Sequence, residues 1–335
     1  MTTKLPDETR GYVERSLELH ALDAQLEAGG PPLAVTGPAG CGKSTLLAGW
    51  VRRLAERSPS LPLVWHSAEE SFESAEVMEL AEAVGRSACE ELSAHELGYD
   101  QVRHCDSDCM PGLCLPDLTS GELVVVIDGL DYVHHGNRPV DLSWLPLELP
   151  SAIRLIVSVS DPRWRGVLQE RGWKVHEVPS FNMSERNQLV CSWLAAKDDP
   201  ARAALSERVG GCAELPWAGN PLCLVQSLAA VEETGEPISA GSYAELISQR
   251  LDNWERQSRG HVERSLGPLL AISRIGCHPV FVHALTGRTQ NAFGRLRSRA
   301  TLQRLEPIIV ERADFFHPAN GEVRAVLRER YLATE

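Results

Sequence analysis

Residues 34–47, "AVTGPAGCGKSTLL", limit the fold of this chain more than any other stretch. An apolar run at 32–36 precedes Gly37-Pro38-Ala39-Gly40-Cys41-Gly42-Lys43-Ser44-Thr45. A segment with helical apolar spacing, "LLAGWVRRLAER", follows it. Strand, glycine-rich loop and helix form the setting in which Gly-x-x-x-x-Gly-Lys-Ser acts as a phosphate loop. The glycines Gly37, Gly40 and Gly42 let the backbone take turns a side chain would block, so the loop's N–H groups are expected to point at phosphate oxygens. The helix that starts near Lys43 adds its positive end. Lys43 is expected to neutralise the β- and γ-phosphates, and the Ser44 hydroxyl to ligate Mg²⁺.

About eighty residues later the chain reads "LVVVIDGLDYV". Residues 123–127 are wholly apolar and, after Leu123, β-branched, as in a strand buried on both faces of a parallel sheet. The run ends in Asp128, and the carboxyl ends of such strands are where ligands bind in open α/β sheets. Asp128 is the expected Mg²⁺ partner and, with Lys43, a catalytic candidate. Asp131, three residues on, either orients an attacking water or simply turns the loop. Further strands are expected at 61–67 ("LPLVWHS"), 153–160 ("IRLIVSVS") and 174–178 ("KVHEV"). Five strands alternating with helical segments predict a doubly wound parallel sheet.

At 335 residues the chain is long enough for two or three domains. We divide it into a lead-in segment (1–30), the sheet-bearing core (31–180), a small helical domain (181–238) and a last domain (239–335). In the helical domain, Ser184 with Asn187 reads as a capping pattern before an apolar helix. In the last domain three helical stretches precede a two-stranded element at 307–317.

These residues together resemble the NACHT branch of the STAND nucleotide switches. The resemblance runs through four stretches in order: "GYVERSLELHALDAQLEAG" (11–29), "IDGLDYV" (127–133), "AGNPLCLVQSLAAV" (218–231) and "FFHPANGEVRAVLRERYL" (315–332). It implies an α/β P-loop NTPase core, a five-stranded parallel sheet of AAA+/ASCE type, followed by a small helical domain and a winged-helix domain. It implies ATP/ADP as ligand with Mg²⁺, and slow ATP hydrolysis coupled to signalling by nucleotide-dependent oligomerisation. Tyr12 and Val13 would cover the adenine, Pro221 would pack against it, and His317 would reach the ADP β-phosphate. Two departures point to slow turnover. The family's arginine after the fourth strand is replaced by Ser160-Asp161, with Arg163 just beyond, and Tyr132 stands where a second acid is common. Partners implied are further copies in the ATP state, and effector or sensor domains or proteins not present in this chain.

The rival reading is an initiator-type AAA+ ATPase that binds DNA through the winged helix, where Arg288, Arg295, Arg297, Arg299 and Arg304 cluster. The net charge of −13 argues against it and against anionic membranes. No apolar run approaches a membrane span, and the N-terminal residues lack a signal-peptide pattern. A cytoplasmic protein with reduced cysteines is expected. His104, Cys105, Cys109 and Cys114 invite a zinc reading, but their spacings differ from Cys-x-x-Cys knuckles, which favours free thiols.

Overall fold

The computed structural model describes residues 13–68, 76–100, 112–113, 115–133, 142–257, 261–273, 276–277, 307–312 and 315–332. The chain divides into two bodies. One comprises Met1–Pro38 with Gly42–Pro179; the other comprises Ser180–Glu335 together with the loop tip Ala39–Cys41.

The first body is built on a parallel sheet of β1 (Leu33–Thr36), β2 (Leu63–Ser67), β3 (Leu123–Asp128), β4 (Ile153–Val159) and β5 (Lys174–Glu177). The spatial order is β2-β3-β4-β1-β5. β4 thus lies between the strand that leads into the glycine loop and the strand that ends in Asp128. Register places Ser158 of β4 opposite Val35 of β1, and Ile127 of β3 opposite Val157 of β4. All six residues of β3 are buried, which is why it reads as an unbroken apolar run rather than an alternating one.

Helices cover this sheet. In α2 (Lys43–Arg57), Leu46, Leu47, Trp50, Val51 and Leu54 repeat at helical spacing and are buried. In α3 (Val77–Ala94), Val77, Leu80, Ala81, Val84, Ala88 and Leu92 do the same. The α3 start is capped by Glu76, whose carboxylate accepts the Met78 N–H at 2.7 Å. α1 (Ser16–Ala28) is tied to α2 by Asp23. Its carboxylate accepts the Trp50 indole N–H at 2.9 Å and two Arg57 bonds at 2.9 and 3.0 Å. α4 (Pro162–Glu170) follows β4 and is capped by Asp161.

The second body begins with α5 (Met183–Ala195), α6 (Asp199–Val209) and α7 (Pro221–Thr234). The expected cap on α5 lies two residues from where the sequence reading put it. Asn182, not Ser184, accepts the Glu185 N–H at 3.0 Å, and the Glu185 carboxylate accepts the Asn182 N–H at 2.8 Å. Ser184 is already inside the helix. Next come α8 (Tyr243–Gln257) and α9 (His261–Ile272), the hairpin of β6 (Ile309–Arg312) and β7 (Phe315–Pro318), and α10 (Gly321–Leu332). The five arginines of the DNA reading lie outside the described residues.

A second core joins α7, α8, the hairpin and α10 through Cys223, Tyr243, Ile247, Trp254, Phe316 and Leu327. Several of its buried polar groups are paired, while the Trp254 indole N–H has no hydrogen-bond partner among the described residues. The Tyr243 hydroxyl donates to Gln226, whose amide donates to the Pro307 carbonyl at 2.6 Å. Arg250, buried in α8, donates to Glu233 at 3.3 Å. Burial pushes the Cys223 thiol up to about 12, so it behaves as a small apolar side chain. Among the described residues no helix is long and apolar enough to cross a membrane.

Candidate nucleotide site

The phosphate loop leaves β1 at Thr36 and becomes α2 at Lys43. Gly42, just before the helix, has φ +94°, in the left-handed region that favours glycine. Gly40 has φ +81°, and a Cβ there would lie 2.7 Å from the Leu222 Cβ and 2.8 Å from the Asn220 carboxamide oxygen. Only glycine fits that position. Lys43, the first residue of α2, is buried, and its ammonium donates to Gly37 O at 2.9 Å, Pro38 O at 3.2 Å and Ser160 Oγ at 2.8 Å. Ser44 lies on the same first turn, and Thr45 follows it, exposed. Cys41 is buried in the loop.

Within the second body, two carbonyls of the loop tip are bonded by the start of α7. The Asn220 side chain donates to Ala39 O at 2.8 Å, and the Leu222 N–H donates to Gly40 O at 3.2 Å. A peptide whose carbonyl is held on one side presents its N–H to the other, which is the orientation a phosphate loop needs. Asn220 also caps α7 by accepting the Leu222 N–H at 3.0 Å, and Pro221 occupies the first helical position, where its missing N–H costs nothing.

Asp128 ends β3 and is 2% exposed. Ser158 Oγ donates to its Oδ1 at 2.5 Å and accepts the Gly129 N–H at 2.8 Å. Asp131 sits on the short turn Leu130–Tyr132, and its two oxygens accept the N–H groups of Ser160 (2.5 Å) and Asp161 (2.8 Å). Two backbone donors from the end of β4 therefore hold Asp131, and through Ser160 it is connected to Lys43. Arg163, the displaced arginine, is folded back on Asp161, with Nε at 2.9–3.0 Å from both carboxylate oxygens, and its side chain is 85% exposed. The hydrogen bond from Arg163 holds the Asp161 carboxyl below the usual carboxylate range.

Of the other candidates, Val13 is buried in the first body. His317 lies on β7 opposite Val310, half-buried, with its ring against Gly276. Tyr12 and the cysteine-rich stretch holding His104, Cys105, Cys109 and Cys114 lie outside the described residues. Among the described residues, no group of three or more His, Cys, Asp or Glu is placed to hold a metal.

The sequence reading missed Ser158, and it noted Ser160 only as the residue standing where an arginine was expected. The available signal was their spacing. Ser158 and Ser160 are two residues apart in "VSVS", which puts them on the same side of a mostly apolar segment.

A glycine loop between a buried parallel strand and a helix that begins with lysine, with an acidic strand end one strand away, defines a P-loop NTPase core. Residues 32–197, just under half of the chain, match the NACHT domain. Tetratricopeptide repeat protein 41 of Rattus norvegicus is 27% identical over 136 residues, 38% of this chain and 10% of that protein. Nephrocystin-3 of Xenopus laevis is 24% identical over 159 residues, 44% of this chain and 11% of that protein. The chain spans about a tenth of the length of these relatives. Among solved structures, it is similar to a STAND protein with a tetratricopeptide repeat sensor from Pyrococcus horikoshii. That likeness has 14% identity and a TM-score of 0.49, covering 99% of this chain and 44% of that one. The Walker-type ATPase of Pyrococcus abyssi is 16% identical with a TM-score of 0.42, covering 98% of this chain and 100% of that chain.

Proposed function

We propose that the chain is an ATP/ADP-binding conformational switch that hydrolyses ATP slowly. The observation that carries this reading is the phosphate loop itself: Gly42 at positive φ, Lys43 buried at the start of α2, and loop-tip carbonyls bonded by Asn220 and the Leu222 N–H. The residues present fit a nucleotide and its metal. Backbone N–H groups of 39–45 and the Lys43 ammonium would hold the phosphates, and Ser44 and Asp128 would hold Mg²⁺. Bound there, Mg²⁺ neutralises phosphate charge. Lys43 gives up part of its hold on Gly37, Pro38 and Ser160 to reach the phosphates.

Slow turnover follows from what surrounds the phosphates. Arg163 is committed to Asp161, so the positive charge the family places after the fourth strand is spent on a helix cap. Asp131 spends both oxygens on backbone donors. In this reading it positions Ser160 and Lys43 rather than acting as a base. Tyr12, Val13 and Pro221 flank the adenine, and His317 reaches the β-phosphate of ADP. ADP then favours a closed form, and exchange for ATP releases a self-associating surface, a coupling of nucleotide state to conformation. Sensor and effector functions come from other domains or proteins. The NACHT match favours this switch over the DNA initiator.

The test is the nucleotide content of protein purified without added nucleotide. The protein is denatured, and the extract is resolved by ion exchange. Near-stoichiometric ADP is expected, with His317→Ala losing it while Lys43→Ala holds neither ADP nor ATP. An empty site with fast Mg²⁺-ATP turnover would sink the latch and leave a working ATPase.

A further inference from the structure

Ser158 lies in the middle of the sheet, 1% exposed, on the strand between β1 and β3. A hydroxyl at such a place costs free energy unless it is bonded. Here both its sides are used, by Gly129 N–H at 2.8 Å and Asp128 Oδ1 at 2.5 Å. The amide can only donate, so Oγ accepts there, and its one hydrogen goes to the carboxylate. The bond to Asp128 is therefore donated by the Ser158 hydroxyl and accepted by the carboxyl oxygen Oδ1. It fixes the rotation of the Asp128 carboxyl about its own side-chain axis. The fixing group comes from the neighbouring strand, outside both the phosphate loop and the acidic box.

Packing does not explain the residue. Its strand neighbours Val157 and Val159 are buried at 0 and 1% exposure, and a valine would suit position 158 as a strand former. What a valine could not do is hold Asp128 and satisfy Gly129.

We propose that Ser158 is a positioning residue for the divalent cation, presetting the Asp128 carboxylate in the rotation that receives Mg²⁺ beside the phosphates. The proposal rests on the nucleotide-binding reading and adds to it a residue that touches neither metal nor nucleotide. Groups that orient a metal ligand in this way typically set affinity by about 10–100-fold.

The experiment is equilibrium binding of mant-ADP, read by fluorescence with EDTA and across a Mg²⁺ titration. The proteins are wild type, Ser158→Ala, Ser158→Thr and Ser158→Val. Thr and Val have nearly the same shape and differ in the hydroxyl, so their difference isolates it from packing, even where Ser158→Ala fails to fold. We expect metal-free affinity to stay within about twofold, while the Mg²⁺ needed for half-maximal effect rises about tenfold in Ser158→Val and returns close to wild type in Ser158→Thr. Equal Mg²⁺ dependence in the Thr and Val proteins overturns the proposal. So does a loss of metal-free binding in Ser158→Val as large as the loss with metal, which would mark a general role in the site. Wild-type binding that ignores Mg²⁺ overturns it while leaving the nucleotide reading intact. Wild type that binds no mant-ADP under any condition overturns the nucleotide reading and this proposal with it.

Discussion

His66 sits near the end of β2, buried, with its ring nitrogen 3.1 Å from Ser87 Oγ on α3. Burial pushes its imidazole down to about 4, against 6.5 for a free histidine. The folded chain therefore holds this group neutral, while the unfolded chain protonates it below about pH 6.5. Protons bind the unfolded state more, so the contribution of His66 to stability rises with pH between about 4 and 6.5 and is constant on either side of that window. The full span amounts to about 3 kcal/mol. Urea unfolding at pH 7.5, 5.5 and 4.5 should show that loss in wild type and a much flatter profile in His66→Gln. An unchanged slope in the variant would assign the pH dependence elsewhere. The sequence offered no sign of this, since one histidine in "LVWHS" could be exposed or buried equally well. Lys43 and Asp128 were legible because each stands at a fixed offset in a motif whose spacing has a physical cause. Ser158 was not, because a hydroxyl in a strand looks like neutral filler until its partner on the next strand is known.

Among the elements, α5 tests how local chemistry sets a boundary. The reciprocal pair of Asn182 and Glu185 satisfies two backbone donors at the start of the helix. Asn182→Ala should cost about 1 kcal/mol of stability, read as a lower urea midpoint at unchanged slope. A shift no larger than that of Ser184→Ala would return the cap to where the sequence reading had it. That reading chose Ser184 with Asn187 because the apolar helical run invites a cap close to it. The Asn-x-x-Glu pattern two residues earlier carried the stronger signal, an acid able to reach back. Strand positions were legible to within a residue or two, since buried parallel strands are short apolar runs between turns. Their order in space was not. Alternation of strands and helices says that a sheet is parallel, while which strand lies beside which depends on side-chain packing far apart in sequence. The placement of β4 between β1 and β3 is the part of the site that no local pattern reveals.

For the whole molecule, a ligand that binds only the folded chain raises its stability by mass action. ADP at 100 times its dissociation constant contributes about 2.7 kcal/mol. Thermal unfolding with Mg²⁺-ADP should therefore shift upward by several degrees, and Lys43→Ala should show no shift. An equal shift in both proteins would mean that ADP binds away from the phosphate loop. The division into two bodies at Pro179 and Ser180 falls where the sheet's last strand gives way to helices, a change visible as the period of the apolar pattern moves from strand-like to helical.

β4 has a consequence for how such a chain can diversify. Ser158 within it holds the carboxylate of β3 and Ser160 just past its end holds the lysine of α2, yet neither belongs to a recognisable signature. On the proposed nucleotide reading, mutation at these two concealed codons would retune how firmly cation and phosphate are gripped while every letter of the glycine loop stays the same. Two descendants of one ancestor can thus carry identical motifs and run on different clocks.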